Sequence, residues 1–203
     1  MKEQPREVVL PAARRDRGLA LEKALSERRS AREFTAAALR LTDIAQLLWA
    51  AQGVTAPDGC RTAPSAGALY PLEALLVAIR VEELLSGTYR YDGATHRLVR
   101  TSGEDCSAEL ARAAYGQTWL RDAGVIVVLT GIEGRTRRKY GERGVRYVHM
   151  EAGHAAQNIL LQAVSLGLGA AVVGAFDDEQ VRTVLALDAA ERPLYLIPVG
   201  WPR

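Results

Sequence analysis

Residues 89–99 alternate apolar and polar side chains on either side of Asp92-Gly93, a dipeptide that accepts the positive φ angles of a tight turn. The pattern predicts a β-hairpin, and a hairpin demands antiparallel pairing. That excludes an all-parallel, doubly wound sheet for a chain whose remaining segments alternate between helical and strand periods. Residues 124–130, with VIVVLT at their heart, are β-branched and apolar and read as a central strand. Residues 73–80, 170–173 and 193–199 read as further strands. Helices are expected at 18–28, at 43–52 with Thr42 as cap and Gly53 as stop, at 107–115, at 147–166 ending at Gly167 or Gly169, and at 177–187. The expected fold is α+β, a central mixed or antiparallel sheet flanked by helices. Residues 1–17, with Pro5 and Pro11, read as an extended arm, and 18–203 as one domain.

The chain has 203 residues, a length that buries a sizeable core without disulfides. Its 26 basic and 24 acidic side chains leave a net charge of +2, too little for non-specific nucleic-acid binding. Lysine is scarce (Lys2, Lys23, Lys139), so the positive charge is mostly guanidinium, whose planar fork suits phosphates and carboxylates. Cys60 and Cys106 stand far apart, and with His96, His149 and His154 they match no metal or redox spacing, so no metal is expected. The N-terminus lacks an apolar signal core, and no apolar run approaches the ~18 residues that span a bilayer. A cytoplasmic protein without membrane partners is expected. No GxGxxG follows a strand, and no phosphate-binding GxxxxGK[ST] occurs.

Five constellations could carry chemistry. Arg28-Arg29-Ser30-Ala31-Arg32 packs three guanidiniums and a hydroxyl into five residues, a donor set for a phosphate or else a solvated helix end. Pro64-Ser65-Ala66-Gly67-Ala68-Leu69-Tyr70-Pro71 places small residues between prolines, where backbone groups can approach a flat ligand, or where a turn merely feeds the next strand. At Val173-Gly174-Ala175-Phe176 a strand ends at a glycine, and Asp177 with Gln180 fits a capping box. The run Arg135, Arg137, Arg138, Lys139, Arg143, Arg146 reads as a basic lid attracting an anion or as a solvated helical face. On the long helix, Tyr147, Glu151, His154, Asn158, Gln162 and Ser165 share one polar stripe, which could face solvent or a seam between subunits.

Taken together, RRSAREF at 28–34, LLWAAQGVT at 47–55, PSAGALYPLE at 64–73, the run from Lys139 to Phe176 and PLYLIPVGWPR at 193–203 make the chain resemble the FMN-dependent nitroreductase superfamily. Within it, the likeness is to SagB-type, azoline oxidase-like dehydrogenases. The resemblance implies an α+β nitroreductase-like fold working as an intertwined homodimer with FMN at the subunit interface. It implies that Arg28, Ser30 and Arg32, with Arg29 beside them, hold the FMN phosphate and pyrimidine edge, and that Arg203 joins them on the phosphate. Ser65, Ala66 and Gly67 are implied to lie by the isoalloxazine, with Gly174 and Ala175 offering backbone hydrogen bonds near N5 and O4.

In that light the protein is expected to pass a hydride through FMN from NAD(P)H to an electron-poor small molecule. A second reading is oxidation of peptide thiazoline or oxazoline rings, with Lys139 and Tyr140 matching the Lys-Tyr pair that azoline dehydrogenases use for proton abstraction. The chain is too short to include the cyclodehydratase that makes such rings, which would be a separate partner. A third reading is a flavin-binding or assembly subunit without turnover. Neither the acceptor nor a preference between NADH and NADPH is written in the sequence.

Overall fold

The structure is a computed structural model that describes residues 6–16 and 18–203. Of the expected arm, residues 1–5 and 17 lie outside the described residues. The elements in chain order are β1 (Glu7–Val9), α1 (Leu21–Glu27), α2 (Leu41–Gln52), β2 (Leu72–Ala78), β3 (Gly87–Asp92), β4 (Arg97–Ser102), α3 (Ser107–Ala113), β5 (Val125–Gly131), α4 (Glu133–Tyr140), α5 (Arg143–Ser165), β6 (Gly169–Ala170), α6 (Asp178–Val184) and β7 (Arg192–Gly200). The seven strands form one sheet in the order β1-β4-β3-β2-β5-β7-β6. Every named strand pair is antiparallel. Parallel pairing enters only as single bridges, Ser30 with Ala170 and Leu39 with Val81.

The strand period of two divides the core. On one face Leu72, Ala74, Leu76, Val125, Val127, Leu129, Ile197 and Val199 pack against α2 and α5. On the other, Leu75, Val77, Ile126, Val128 and Leu196 meet residues of α3 and α6. β5 lies between β2 and β7 with all seven residues buried, as its unbroken apolar run requires.

Three local expectations are corrected. The hairpin forms, but Asp92-Gly93 is not a tight two-residue turn. β3 ends at Asp92 and β4 resumes at Arg97, and the positive φ (51°) falls on His96. Asp92 instead accepts from Ala94 N, Thr95 N and the Thr95 hydroxyl, folding the loop around its carboxylate. Gly93 serves close approach: a Cβ there would lie 2.6 Å from the Gln52 carbonyl oxygen. Thr42 does not cap α2. The helix starts two residues earlier, at Leu41 after Arg40, whose guanidinium pairs with the buried Asp43 carboxylate at 2.8 and 2.9 Å. The strand expected at 170–173 is only Gly169–Ala170, with Val173 bridging Leu196 alone.

The long helix is longer than its sequence pattern indicated, because α5 begins at Arg143. It ends as expected, at Gly167 with φ 74°. Most of its polar stripe turns inward, with His154 left exposed. Asn158 Nδ2 donates to the Ala50 and Thr62 carbonyls, Gln162 Oε1 accepts from Gln46, and Ser165 Oγ accepts from Leu19 N. Glu151 accepts from Ala66 N. The stripe is an internal seam tying α2, the 53–71 loop and the segment before α1 to one helix.

A second buried polar knot stands across the sheet, where Glu191 is 1% exposed. It accepts two hydrogen bonds from Arg90 at 3.1 and 2.9 Å and a third from the Thr130 hydroxyl. Glu191→Ala leaves the Arg90 charge without its main partner and is expected to cost about 3–5 kcal/mol, against near-neutrality for an exposed glutamate such as Glu22. Urea denaturation of both variants measures the difference.

Candidate functional site

The loop between α2 and β2 turns at Ser65. Ser65 Oγ accepts from Tyr70 N at 2.9 Å, closing a corner around a short 3₁₀ turn at Ala66–Ala68. Inside the corner Gly67 (φ 62°), Ala68 (φ 54°) and Tyr70 (φ 44°) all adopt left-handed backbone. Two of these carry side chains, so the conformation is costly and must be held by its surroundings. Arg135 Nη1 donates to the Tyr70 carbonyl at 3.0 Å, and the Arg61 guanidinium lies 4.6 Å from the Tyr70 ring centroid. On the other side Ala66 N donates to Glu151 Oε1 at 2.9 Å.

Lys139 and Tyr140, at the end of α4, reach the same corner. A Cβ built on Gly67 would sit 2.8 Å from Tyr140 Oη and 2.9 Å from Lys139 Nζ, so glycine lets an ammonium and a phenol approach the backbone. Tyr140 packs edge-on against Tyr147 with ring centroids 5.1 Å apart. The basic stretch forms α4 and the first turn of α5, and only part of it is free charge. Arg135 pairs with Glu73 and Arg137 with Glu142, both at 2.6 Å. Arg138, Lys139, Arg143 and Arg146 are exposed and have no ion-pair partner among the described residues.

A second group gathers at the other end of the chain's path. Ala31 N donates to the Ala170 carbonyl, Thr35 N to Trp201 O, and Arg203 N to Glu33 O. These bonds lay residues 30–35 between β6 and the C-terminal tail, bringing Arg28, Ser30, Arg32 and Arg203 to one margin of the sheet. Arg28, Arg32 and Arg203 have no carboxylate partner among the described residues, and Arg32 lies over the Trp119 ring at 5.9 Å. Arg29 differs from the expectation, since its Nη1 donates to Ser26 O and Arg28 O and so closes the end of α1. Gly174 and Ala175 are exposed, following the Val173–Leu196 bridge, and the Ala175 carbonyl accepts from Gln117. Asp177 caps α6 by accepting from Gln180 N. The reciprocal half of the box is absent: Gln180 Nε2 returns to the Asp177 carboxylate, and Asp177 N donates to Ala113 O.

Contacts within the chain thus tie 65–67 to 139–140 and lay 30–35 beside β6 and the C-terminal tail, while 174–175 follow the Val173–Leu196 bridge. Gln117, Trp119 and Arg61 escaped sequence reasoning, because no local pattern distinguishes them from surface residues. No cluster of three potential metal-ligating His, Cys, Asp or Glu side chains occurs among the described residues.

Burial pushes the Glu151 carboxyl above its ordinary 4.5, opposed by hydrogen bonds from Ala66 N and the Ser65 hydroxyl and by His154. The folded chain therefore holds this proton more tightly than the unfolded one, and the stability gained is lost as pH rises through the raised value. Glu151→Gln is expected to flatten that decline, measured as denaturation midpoints from pH 4.5 upward. Gly67→Ala is expected to cost about 1–2 kcal/mol through its positive φ, the Lys139 and Tyr140 termini yielding easily. Thermal unfolding reads that change.

The chain's relatives agree with this architecture. The family model described as "Nitroreductase family" matches residues 25–201. The nitroreductase-family protein MJ1384 of Methanocaldococcus jannaschii is 45% identical over 180 residues, covering 89% of this chain and 90% of that one. A nitroreductase-type crystal structure from Ralstonia eutropha JMP134 superposes with TM-score 0.87 at 29% identity, covering 98% of this chain and 90% of the other. A chain of the E. coli microcin synthetase McbBCD complex, solved with truncated pro-MccB17 bound, superposes with TM-score 0.76 at 27% identity, covering 98% and 77%. With its antiparallel sheet, its flanking helices and these matches over nearly its whole length, the chain belongs to the nitroreductase family of oxidoreductase enzymes.

Proposed function

We propose that the protein is an FMN-dependent oxidoreductase that takes a hydride from NAD(P)H and passes it to an electron-poor small molecule. The observation that carries this reading is the donor set at the sheet margin. Arg28, Arg32 and Arg203 are guanidiniums without carboxylate partners among the described residues, and the Ala31–Ala170 and Arg203–Glu33 backbone bonds bring their segments, with Ser30, to one margin of the sheet. Such a set fits a phosphate dianion, which needs local cations and no global charge. The exposed backbone at Gly174 and Ala175 fits the edge of a flat heterocycle. When bound, FMN supplies the two-electron redox chemistry. Arg28, Arg32 and Arg203 hold its phosphate, the 174–175 backbone orients its ring, and the Ser65–Gly67 corner covers a face.

We assign the complete site to a homodimer, as the resemblance to FMN-dependent nitroreductases implies. Supporting this, Leu21 (59%), Leu25 (51%) and Met150 (49%) are large apolar side chains left exposed on α1 and α5. We place the protein in a reducing, cytoplasmic compartment, in keeping with its two free thiols.

A second reading, oxidation of azoline rings in a modified peptide, is favoured by one geometric fact and one likeness. Lys139 Nζ and Tyr140 Oη stand at the Gly67 corner, where they can hold or move a proton. The likeness is to a chain of the microcin synthetase complex.

The first experiment is the visible spectrum of the purified protein before and after FMN is added and the excess removed. Retained oxidised-flavin bands, bleached by NAD(P)H, are the expected result; no retention overturns the reading. Arg28→Ala and Arg32→Ala are each expected to weaken FMN binding about tenfold or more, by loss of a charge-assisted hydrogen bond. Lys139→Ala and Tyr140→Phe separate the two readings. A reductase of small molecules keeps most of its rate, whereas an azoline oxidase retains FMN and loses dehydrogenation. Sedimentation as a monomer at all concentrations rules out the shared site.

A further inference from the structure

Three carboxylates are buried in the described chain, and they are stabilised differently. Asp43 is paired with Arg40, and Glu191 with Arg90. Glu151, only 4% exposed, has no ion-pair partner among the described residues. It accepts at 2.9 Å from the N–H of Ala66, the residue next to Ser65 in the corner. A buried carboxylate without a cation is costly to a fold. What this one secures is the first turn of a corner whose next residues adopt left-handed backbone at Gly67, Ala68 and Tyr70. The far side of the corner has its own restraints, the Arg135–Tyr70 hydrogen bond and the Arg61 guanidinium over the Tyr70 ring.

The same helix links the two sides of the site. Tyr147, one turn before Glu151 on α5, packs edge-on against Tyr140, whose hydroxyl approaches Gly67 together with Lys139 Nζ. One helical edge thus fixes both the corner and the pair of side chains that meets it.

We propose that Glu151 is a positioning residue: by accepting from Ala66 N–H, it holds residues 65–70 in the conformation that brings Gly67 against Lys139 and Tyr140. Its effect on flavin rests on the function proposed above; its effect on the loop does not.

The test compares the whole protein, loaded with FMN, as wild type, Glu151→Ala, Glu151→Gln and Ser65→Ala. Hydrogen exchange is followed by mass spectrometry, and FMN affinity is measured by titration. Glu151→Ala is expected to speed exchange in residues 65–70 about tenfold or more, the scale of a lost hydrogen bond to a charged group, while α2 and β5 stay protected. FMN affinity should fall with it. Glu151→Gln, whose amide oxygen still accepts from Ala66 N–H, should restore loop protection and most of the affinity. Ser65→Ala removes a separate contact, the bond that Ser65 Oγ accepts from Tyr70 N, and combined with Glu151→Ala should loosen the loop further than either change alone. Unchanged exchange at 65–70 in Glu151→Ala overturns the proposal, as do protection lost equally across α5 and the sheet, or failure of Glu151→Gln to restore. If Glu151→Ala does not fold, Glu151→Asp, whose shorter side chain draws the carboxylate back from Ala66 N–H, takes its place in the comparison. If the wild type holds no flavin, the exchange measurements still judge Glu151, and the functional reading fails alone.

Discussion

The polar edge of α5 is the interaction on which the rest of the structure depends. A 23-residue helix lies against the central strands, and Glu151, Asn158, Gln162 and Ser165 along one edge turn toward neighbouring segments. Buried side-chain amides and hydroxyls require partners, and these find theirs in main-chain groups of irregular segments. Asn158 satisfies the Ala50 and Thr62 carbonyls, and Ser165 takes the Leu19 N–H. The loop of residues 53–71, which has little regular structure of its own, is therefore shaped by a helix far from it in sequence. The apolar faces set where α5 lies, and the stripe sets what the loops do.

The electrostatics follow the same division of labour. Arg40 and Arg90 serve buried carboxylates of the scaffold, and Arg135 serves both Glu73 and the Tyr70 carbonyl. Arg28, Arg32 and Arg203 are left without such partners among the described residues, at a sheet margin. A small net charge thus conceals a marked local imbalance. Compensated guanidiniums build the fold, and uncompensated ones are available to a ligand.

Much of the fold was legible because it is governed by local periodicity. The unbroken apolar run of β5 announced a strand buried on both faces, and alternation about Asp92 announced the hairpin. The details of that hairpin were not legible. The carboxylate of Asp92 captured the loop amides, and Gly93 was needed for close passage over Gln52 rather than for its φ. Thr42 looked like a cap, yet Arg40 begins the helix because its guanidinium reaches Asp43. For the candidate site, the residue types and their order were visible in the RRSAR, PSAG and KY phrases. That Lys139 and Tyr140 close on Gly67, and that Arg29 turns back to α1, could not be seen.

By itself, the sequence determined which segments are helices or strands, which faces are apolar, and which loops have the composition to meet a ligand. Those properties follow from backbone geometry and side-chain spacing within a few residues. Only the tertiary structure decided which polar group meets which. Glu151 and Ala66 are 85 residues apart, and the stripe that includes Glu151 reads equally well as a wet surface. A hydrogen bond is satisfied by whatever packing brings close, and the packing is set by the whole core at once.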